Sequence, residues 1–222
     1  MNTTKINQVI WNDFYKFSKR FLYWPSEDLV AFFNNYFDND LRKRKVLDVG
    51  CGVGRNLLLC GSLGAEIYGV DSSIEAIKES KDFLQTKDLN PYLSLGESTN
   101  LPYADNFFDI AIAWGIFHYL DNKDQEKTKK EIKRVLKGDG LFLFTLRSIH
   151  DSRYGKGEEV DQNMFKQDKP GKKGIIIQYW DEDEARSFFN LDNMLIGEGI
   201  RSPIGNLEKK SAHWMIAGRI KK

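Results

Sequence analysis

The chain has 222 residues, 41% of them hydrophobic, with 33 Lys and Arg against 32 Asp and Glu. A chain near the length of one domain, with this apolar content, buries a core without metal or disulfide staples, and its two cysteines, Cys51 and Cys60, exclude a disulfide framework. Balanced charge leaves no broad basic field for nucleic acid, and no stretch is apolar over the ~18 residues that a membrane helix needs.

The residues after Met1 are not a secretory apolar core, so the expected address is cytoplasmic, with no membrane and no nucleic-acid partner. Residues 1–44 read as a helical N-terminal cap, crowded with Trp11, Phe14, Tyr15, Phe17, Phe21, Leu22 and Trp24. Pro25 opens a helix there, with Glu27 and Asp28 in its first turn and Leu29, Phe32, Phe33 and Phe37 at helical spacing. From residue 45 strands and helices alternate. Strands are expected at 45–49, 65–70, 92–95, 109–113 and 141–146, and helices at 55–62, 73–86 and 124–136. Ser72 and Glu75 have the spacing of a capping box for the second of these helices, and Gly138 follows the third as a stop. Near-continuous apolar strands alternating with helices predict a buried parallel sheet flanked on both faces.

Residues 147–174 break the pattern. This stretch is polar, holds four glycines and reads as a substrate-side loop or lid. A strand at 175–179, a helix at 182–189 and strands at 194–200 and 212–220 complete the chain, the last two joined by a turn with Pro203, Gly205 and Asn206. The domain reading is therefore a cap at 1–44 followed by one ligand-binding domain at 45–222.

The stretch Asp48-Val49-Gly50-Cys51-Gly52-Val53-Gly54 ends the first strand in three alternating glycines. Such glycines let the backbone turn sharply and let a ligand lie against it. Open α/β sheets bind ligands beyond the carboxyl ends of their strands. Neither a dinucleotide spacing nor a Gly-Lys-Ser/Thr phosphate loop is present, because position six of the two candidate registers is Arg55 or Leu57. A diphosphate ligand is disfavoured, and the acidic Asp48 suits a cationic amino-acid end. Asp71, at the tip of the second strand, is placed to accept from both hydroxyls of a ribose.

These residues resemble class I S-adenosylmethionine-dependent methyltransferases of the small-molecule type. Asp48 to Gly54 matches the family's first motif, and Gly69-Val70-Asp71-Ser72-Ser73 its ribose-binding strand end. Gly96-Glu97-Ser98 with Leu101-Pro102-Tyr103 and Phe107-Phe108-Asp109 matches the adenine-side motif and fourth strand. Leu136-Lys137-Gly138-Asp139-Gly140-Leu141 matches the turn into the fifth. The resemblance implies a Rossmann-like α/β fold. Its seven-stranded, mostly parallel sheet has helices on both faces and a C-terminal antiparallel hairpin. The implied cofactor is S-adenosyl-L-methionine, with S-adenosyl-L-homocysteine as product. By position, Gly50, Gly52 and Gly54, with Asp48 and Cys51, would line the methionine moiety. Asp71 with Ser72 would hold the ribose, Glu97 and Ser98 would approach adenine, and Trp114 would lie near the amino-acid end. Many family members carry Asp at the position of Glu97.

The implied reaction is displacement at a sulfonium methyl, so the protein's tasks are positioning and desolvation. The acceptor expected is a small polar metabolite, such as a sugar, sugar nucleotide or amine. An RNA or protein methyltransferase and a non-catalytic cofactor-binding protein are the alternatives. Amino-group methylation of nucleic-acid bases is disfavoured, because Ala113-Trp114-Gly115-Ile116 stands where such relatives carry an Asn/Asp-Pro-Pro-aromatic tetrad. An alcohol acceptor needs a general base, and His118, beyond the fourth strand, is the candidate, against a purely structural reading. Trp24, Tyr119, Arg147, His150 and Arg153 are the candidate acceptor contacts, the two arginines suiting a carboxylate or phosphate. His213 reads as structural, and no metal-ligand spacing is present.

Overall fold

The structure, a computed structural model, describes residues 2–18, 21–169 and 171–221. Positions 1, 19 and 20 of the expected cap, and 170 of the expected loop, lie outside them.

Seven strands build one sheet. In chain order these are β1 (Lys45–Val49), β2 (Glu66–Asp71), β3 (Tyr92–Leu95), β4 (Phe108–Ala113), β5 (Leu136–Arg147), then β9 (Leu191–Arg201) and β10 (Ser211–Ile220). Between the last two groups lie β6 (Glu158–Asp161), β7 (Met164–Lys169) and β8 (Lys172–Gln178), which belong elsewhere. The sheet order is β3-β2-β1-β4-β5-β10-β9. Strands β1 to β5 pair in parallel, and β10 runs antiparallel to both β5 and β9. This is the expected Rossmann-like sheet with its C-terminal hairpin. The order reverses at β1, whose neighbours are β2 and β4, so the carboxyl ends of β1, β2 and β4 frame the crevice where such sheets bind ligands.

Strand residues alternate between two covered faces. Val46, Ile67, Ile110, Ile112 and Leu143 face one core with Leu29 and Phe33 of α2 (Glu27–Phe37), Leu57 and Cys60 of α3 (Arg55–Ser62), and Leu84 of α4 (Ile74–Gln85). Leu47, Val49, Ala111, Phe142 and Phe144 face the other, with Ile132 and Val135 of α5 (Asn122–Val135) and Ala185 of α6 (Glu182–Ser187). Each fully buried Leu, Ile, Val or Phe contributes roughly 1.5–3 kcal/mol, so the two cores hold the strand ends rigidly.

Local signals shift some boundaries. Pro25 does not open α2; the helix starts at Glu27, with Ser26 as its N-cap. Ser73, not Ser72, caps α4, its Oγ accepting from Ala76 N at 3.4 Å. The Asp71 carboxylate takes the Ser73 N–H at 2.9 Å and holds that residue extended, so the helix begins one residue later. Gly138 is no helix stop, since α5 ends at Val135 and β5 already runs from Leu136.

Residues 147–174 are not a plain loop. Strands β6, β7 and β8 form a separate antiparallel sheet. Helix α1 (Thr3–Phe17) packs along β8. The buried Asn7 side chain fixes this contact, donating to Tyr119 O at 2.8 Å and Ile176 O at 2.7 Å, and accepting from Ile176 N at 2.9 Å. Thr4 Oγ1 accepts from Asp121 N at 3.0 Å. Side chains of α1 and the small sheet thus close over the strand ends.

Candidate functional site

A cavity of about 930 Å³ lies between the carboxyl ends of the strands and α1. One end is the turn after β1. Gly50, Gly52 and Gly54 have φ of 72°, 54° and 80°, a region that a side chain makes costly. The turn is tied to β2, because Gly50 N and Cys51 N donate to Val70 O at 2.8 and 3.1 Å. Asp71, at the end of β2, accepts from Gly52 N through Oδ2 at 2.9 Å and from Ser73 N through Oδ1 at 2.9 Å. Burial raises the Asp71 carboxyl above its usual range, against the backbone N–H groups that favour its charge.

Behind the turn, Asp48 is buried and its Oδ2 has no hydrogen-bond partner among the described residues. Burial pushes its carboxyl up to about 8, although the Arg55 guanidinium opposes this. Arg55 itself lines the cavity. A buried carboxyl left without a donor is costly unless something cationic or hydrogen-bonding reaches its surroundings.

Tyr15 of α1 covers the turn. A Cβ on Gly52 would lie 2.7 Å from Tyr15 Oη. The Tyr15 ring stacks on Trp11, with centroids 5.6 Å apart, and Trp11 meets Tyr119 edge-on at 5.3 Å. Burial, followed by the Asp71 charge, raises the Tyr15 phenol well above its usual pKa.

The opposite end is built by β5, β10 and the 3-10 turn Phe117–Tyr119. Alternation sends Thr145 and Arg147 of β5 to the same side, and Ser211, His213 and Met215 follow on the paired β10. His118 is 2% exposed, and its Nδ1 has no partner among the described residues. Burial, then the Arg147 charge, holds this imidazole well below its ordinary pKa, so it is neutral at pH 7. Burial and Arg147 likewise bring His213 down to about 3. The two rings lie 6.2 Å apart.

The expected site residues divide. Gly50, Cys51, Gly52, Asp71, Ser72, Ser98, Trp114, His118, Tyr119 and Arg147 line the cavity. Gly54 sits behind it, where a Cβ would run into Ser80 and Leu84 of α4. Trp24 reaches only the rim and is 74% exposed, so Tyr15 is the aromatic that covers the turn. Glu97 points away, held by Lys5 Nζ of α1 at 2.6 Å, and Ser98 Oγ shares a hydrogen bond with Thr128 at 2.8 Å. His150 is exposed and pairs with Glu198 at 2.8 Å, outside the cavity. Arg153 is also outside and clamps Asp151 instead.

Sequence reasoning missed Asn7, Thr145, Ser211 and Lys172, and read His213 as merely structural although it lines the cavity. The period-two alternation of β5 and β10 was the available signal for Thr145, Ser211 and His213; nothing in the sequence paired α1 with β8. Among the described residues no cluster of His, Cys, Asp or Glu is arranged to hold a metal, and no helix is long and apolar enough to cross a membrane.

Comparison with known proteins gives a consistent result. A methyltransferase-domain family model matches residues 47–144. The chain is 30% identical over 110 residues to a methyltransferase of Schizosaccharomyces pombe, covering 49% of this chain and 76% of that one. It is 32% identical over 148 residues to a Methanocaldococcus jannaschii protein, covering 64% of this chain and 53% of the other. The chain spans about half the length of several such curated relatives. Among solved structures, a methyltransferase of Methanosarcina mazei described as S-adenosylmethionine-dependent superposes with a TM-score of 0.70 at 22% identity, covering 88% of this chain and 98% of its own.

Proposed function

This chain belongs to the class I S-adenosylmethionine-dependent methyltransferases, and we propose that it transfers the cofactor's methyl group to a small polar metabolite such as a sugar, a sugar nucleotide or an amine. The observation that carries this reading is one cavity that joins the glycine turn and Asp71 to His118. When bound, the sulfonium cofactor supplies an electrophilic methyl and a neutral thioether leaving group.

The residues present suit that cofactor. The turn exposes backbone rather than side chains to a ligand, and Asp48 behind it, off the cavity lining and with Oδ2 unpartnered among the described residues, suits a cationic amino-acid end. Asp71 is proposed to take the ribose hydroxyls with the acceptor capacity left beside its bonds from Gly52 N, Ser73 N and Ser72 N, since a carboxylate accepts about four. Tyr15, Trp11 and Tyr119 exclude water from the transfer path, which strengthens every electrostatic contact inside it. His118 is neutral and so free to accept a proton from an acceptor hydroxyl as its lone pair attacks the methyl carbon. For an amine acceptor the same imidazole would only orient the nucleophile.

Calorimetric titration with S-adenosylmethionine, S-adenosylhomocysteine and NAD tests the reading. The two sulfur compounds should bind and NAD should not. Tight NAD binding, or silence toward both sulfur compounds, overturns it. Asp71→Asn keeps the shape of the group and removes its charge, so cofactor affinity should fall by about tenfold or more, ~1.4–3 kcal/mol.

A further inference from the structure

The acceptor end of the cavity holds more positive charge than the protein neutralises. Glu27 and Asp28 of the lining pair with Arg201, and the carboxylate beside Arg147 is Asp151, which Arg153 already satisfies, with Nε to Oδ1 at 2.8 Å, Nη2 to Oδ2 at 2.6 Å and the backbone N to Oδ1 at 3.0 Å. Ala212 N adds a bond to Oδ2 at 3.2 Å. Arg147 is the second guanidinium on the same group. It is 6% exposed, and its Nη1 bonds Asp151 at 2.8 Å and Ser211 Oγ at 3.2 Å, with the Tyr119 hydroxyl as a further hydrogen-bond partner of the guanidinium. Its Nε is buried with no partner among the described residues. Lys172 also lines the cavity, its Nζ over the Phe14 and Trp11 rings at 3.2 and 4.3 Å. Two more orphaned polar atoms, His118 Nδ1 and Thr145 Oγ1, belong to residues of the same wall.

A buried cation without full compensation is expensive, and a guanidinium edge is shaped for an oxyanion. We propose that the methyl acceptor carries an oxyanion, a carboxylate or a phosphate, and that Arg147, which lines the cavity, takes it while Lys172 supplies a second positive charge from the cavity wall. This deepens, and rests on, the methyltransferase reading, which assigns the glycine turn to the cofactor and leaves this end to the acceptor.

The ionisation of the neighbours agrees. Burial, then Arg147, brings Lys169 down to about 6, and burial brings Lys172 down to about 8. An acceptor oxyanion beside Arg147 would offset the charge that depresses His118, moving that imidazole toward the range where a general base is effective.

Inorganic phosphate, benzoate and the neutral benzamide serve as probes on the full chain, at ionic strength fixed with sodium chloride. Thermal midpoint and the fluorescence of Trp11, Trp24 and Trp114, which line the cavity, are the readouts. Phosphate, benzoate or both should raise the midpoint saturably, and benzamide should not. A response to phosphate alone identifies a phosphorylated acceptor, and a response to benzoate alone a carboxylic one. Arg147→Met should weaken the responding probe at least tenfold, with Arg147→Lys intermediate. Should Arg147→Met fail to fold, Lys172→Met carries the test, with a loss of severalfold expected. No saturable response in the wild-type protein, or an unchanged response in the variants, overturns the proposal. Binding of S-adenosylhomocysteine to the wild-type protein, measured in parallel, reports separately on the methyltransferase reading.

Discussion

Glycine at position 52 is required twice over. Its φ of 54° lies in the left-handed region, and its missing Cβ leaves room for Tyr15 Oη, which would otherwise be 2.7 Å away. Gly52→Ala should therefore destabilise the protein by ~2–3 kcal/mol, of which the left-handed backbone accounts for ~1–2. Tyr15→Phe removes the colliding hydroxyl, so the same glycine change made in that background should cost only the backbone share. Urea unfolding of the four proteins gives the coupling; full additivity would place Tyr15 away from the turn. His118 makes a sharper chemical prediction. His118→Asn should lower turnover by about 10²-fold if the ring removes a proton. Its effect should fall on turnover rather than on cofactor affinity, because the imidazole stands at the end away from the glycine turn. Wild-type rates in the variant across pH 6 to 9 would leave the ring a structural part of the wall.

At the level of elements, the closure of the site depends on how α1 is held. Asn7 alone makes three hydrogen bonds from α1 to the 3-10 turn and β8, at 2.7–2.9 Å, and it is buried. Asn7→Ala leaves buried backbone groups of Tyr119 and Ile176 unsatisfied, at ~1–3 kcal/mol each before relaxation. The loss should be local, since neither core of the main sheet includes Asn7. Amide exchange should speed up in 3–17 and 172–178 and stay unchanged in β1 and β4; uniform acceleration across the sheet would contradict this. The helix and its docking site illustrate what the sequence does and does not carry. Strands β1 to β5 were legible because each is an apolar run bounded by turn residues, and the glycine turn with Asp71 because their spacing is chemical. The small sheet was not legible. Residues 158–161 are all exposed and show no alternation, while Met164, Phe165 and Gln167 are buried without a regular period. Tyr15 was distinguishable from Trp24 only once α1 had been placed, because both are aromatics in the same apolar segment. Glu97 and His150 were misplaced for a related reason: each meets a partner far along the chain, Lys5 and Glu198, that draws it off the cavity.

Across the whole molecule, the basic wall of the cavity should set how stability varies with pH. A histidine whose folded pKa is depressed is neutral in the native state while the unfolded chain takes up a proton, so its stabilisation is lost as pH falls below about 6.5. His118 and His213 both act this way, the latter down to about 3. Asp48 opposes them, because its carboxyl, raised to about 8, favours the native state at low pH and loses that contribution as pH rises toward 8. Two histidines outweigh Asp48 between pH 4 and 6.5, with Asp71, also raised by burial, offsetting part of the gain at the acid end, leaving a net slope of at most about 1.4 kcal/mol per pH unit. From 6.5 to 8 the Asp48 loss roughly cancels the gain from Lys169, which is depressed to about 6 and so adds stability as the unfolded lysine holds its proton. Above 8 Asp48 is spent and Lys172 joins Lys169, but the unfolded thiols of Cys51 and Cys60 ionise at about 8.5 while burial keeps both protonated in the folded chain, so the two pairs roughly cancel. Denaturant midpoints should therefore rise from pH 4 to about 6.5 and level off above it. Arg147→Met should make the acid limb shallower without abolishing it, because burial is the main cause that depresses both histidines and the Arg147 charge the second. A flat profile between pH 5 and 6.5 in the wild-type protein would show that these rings are not buried in neutral form, and the charge imbalance at the acceptor end would go with them.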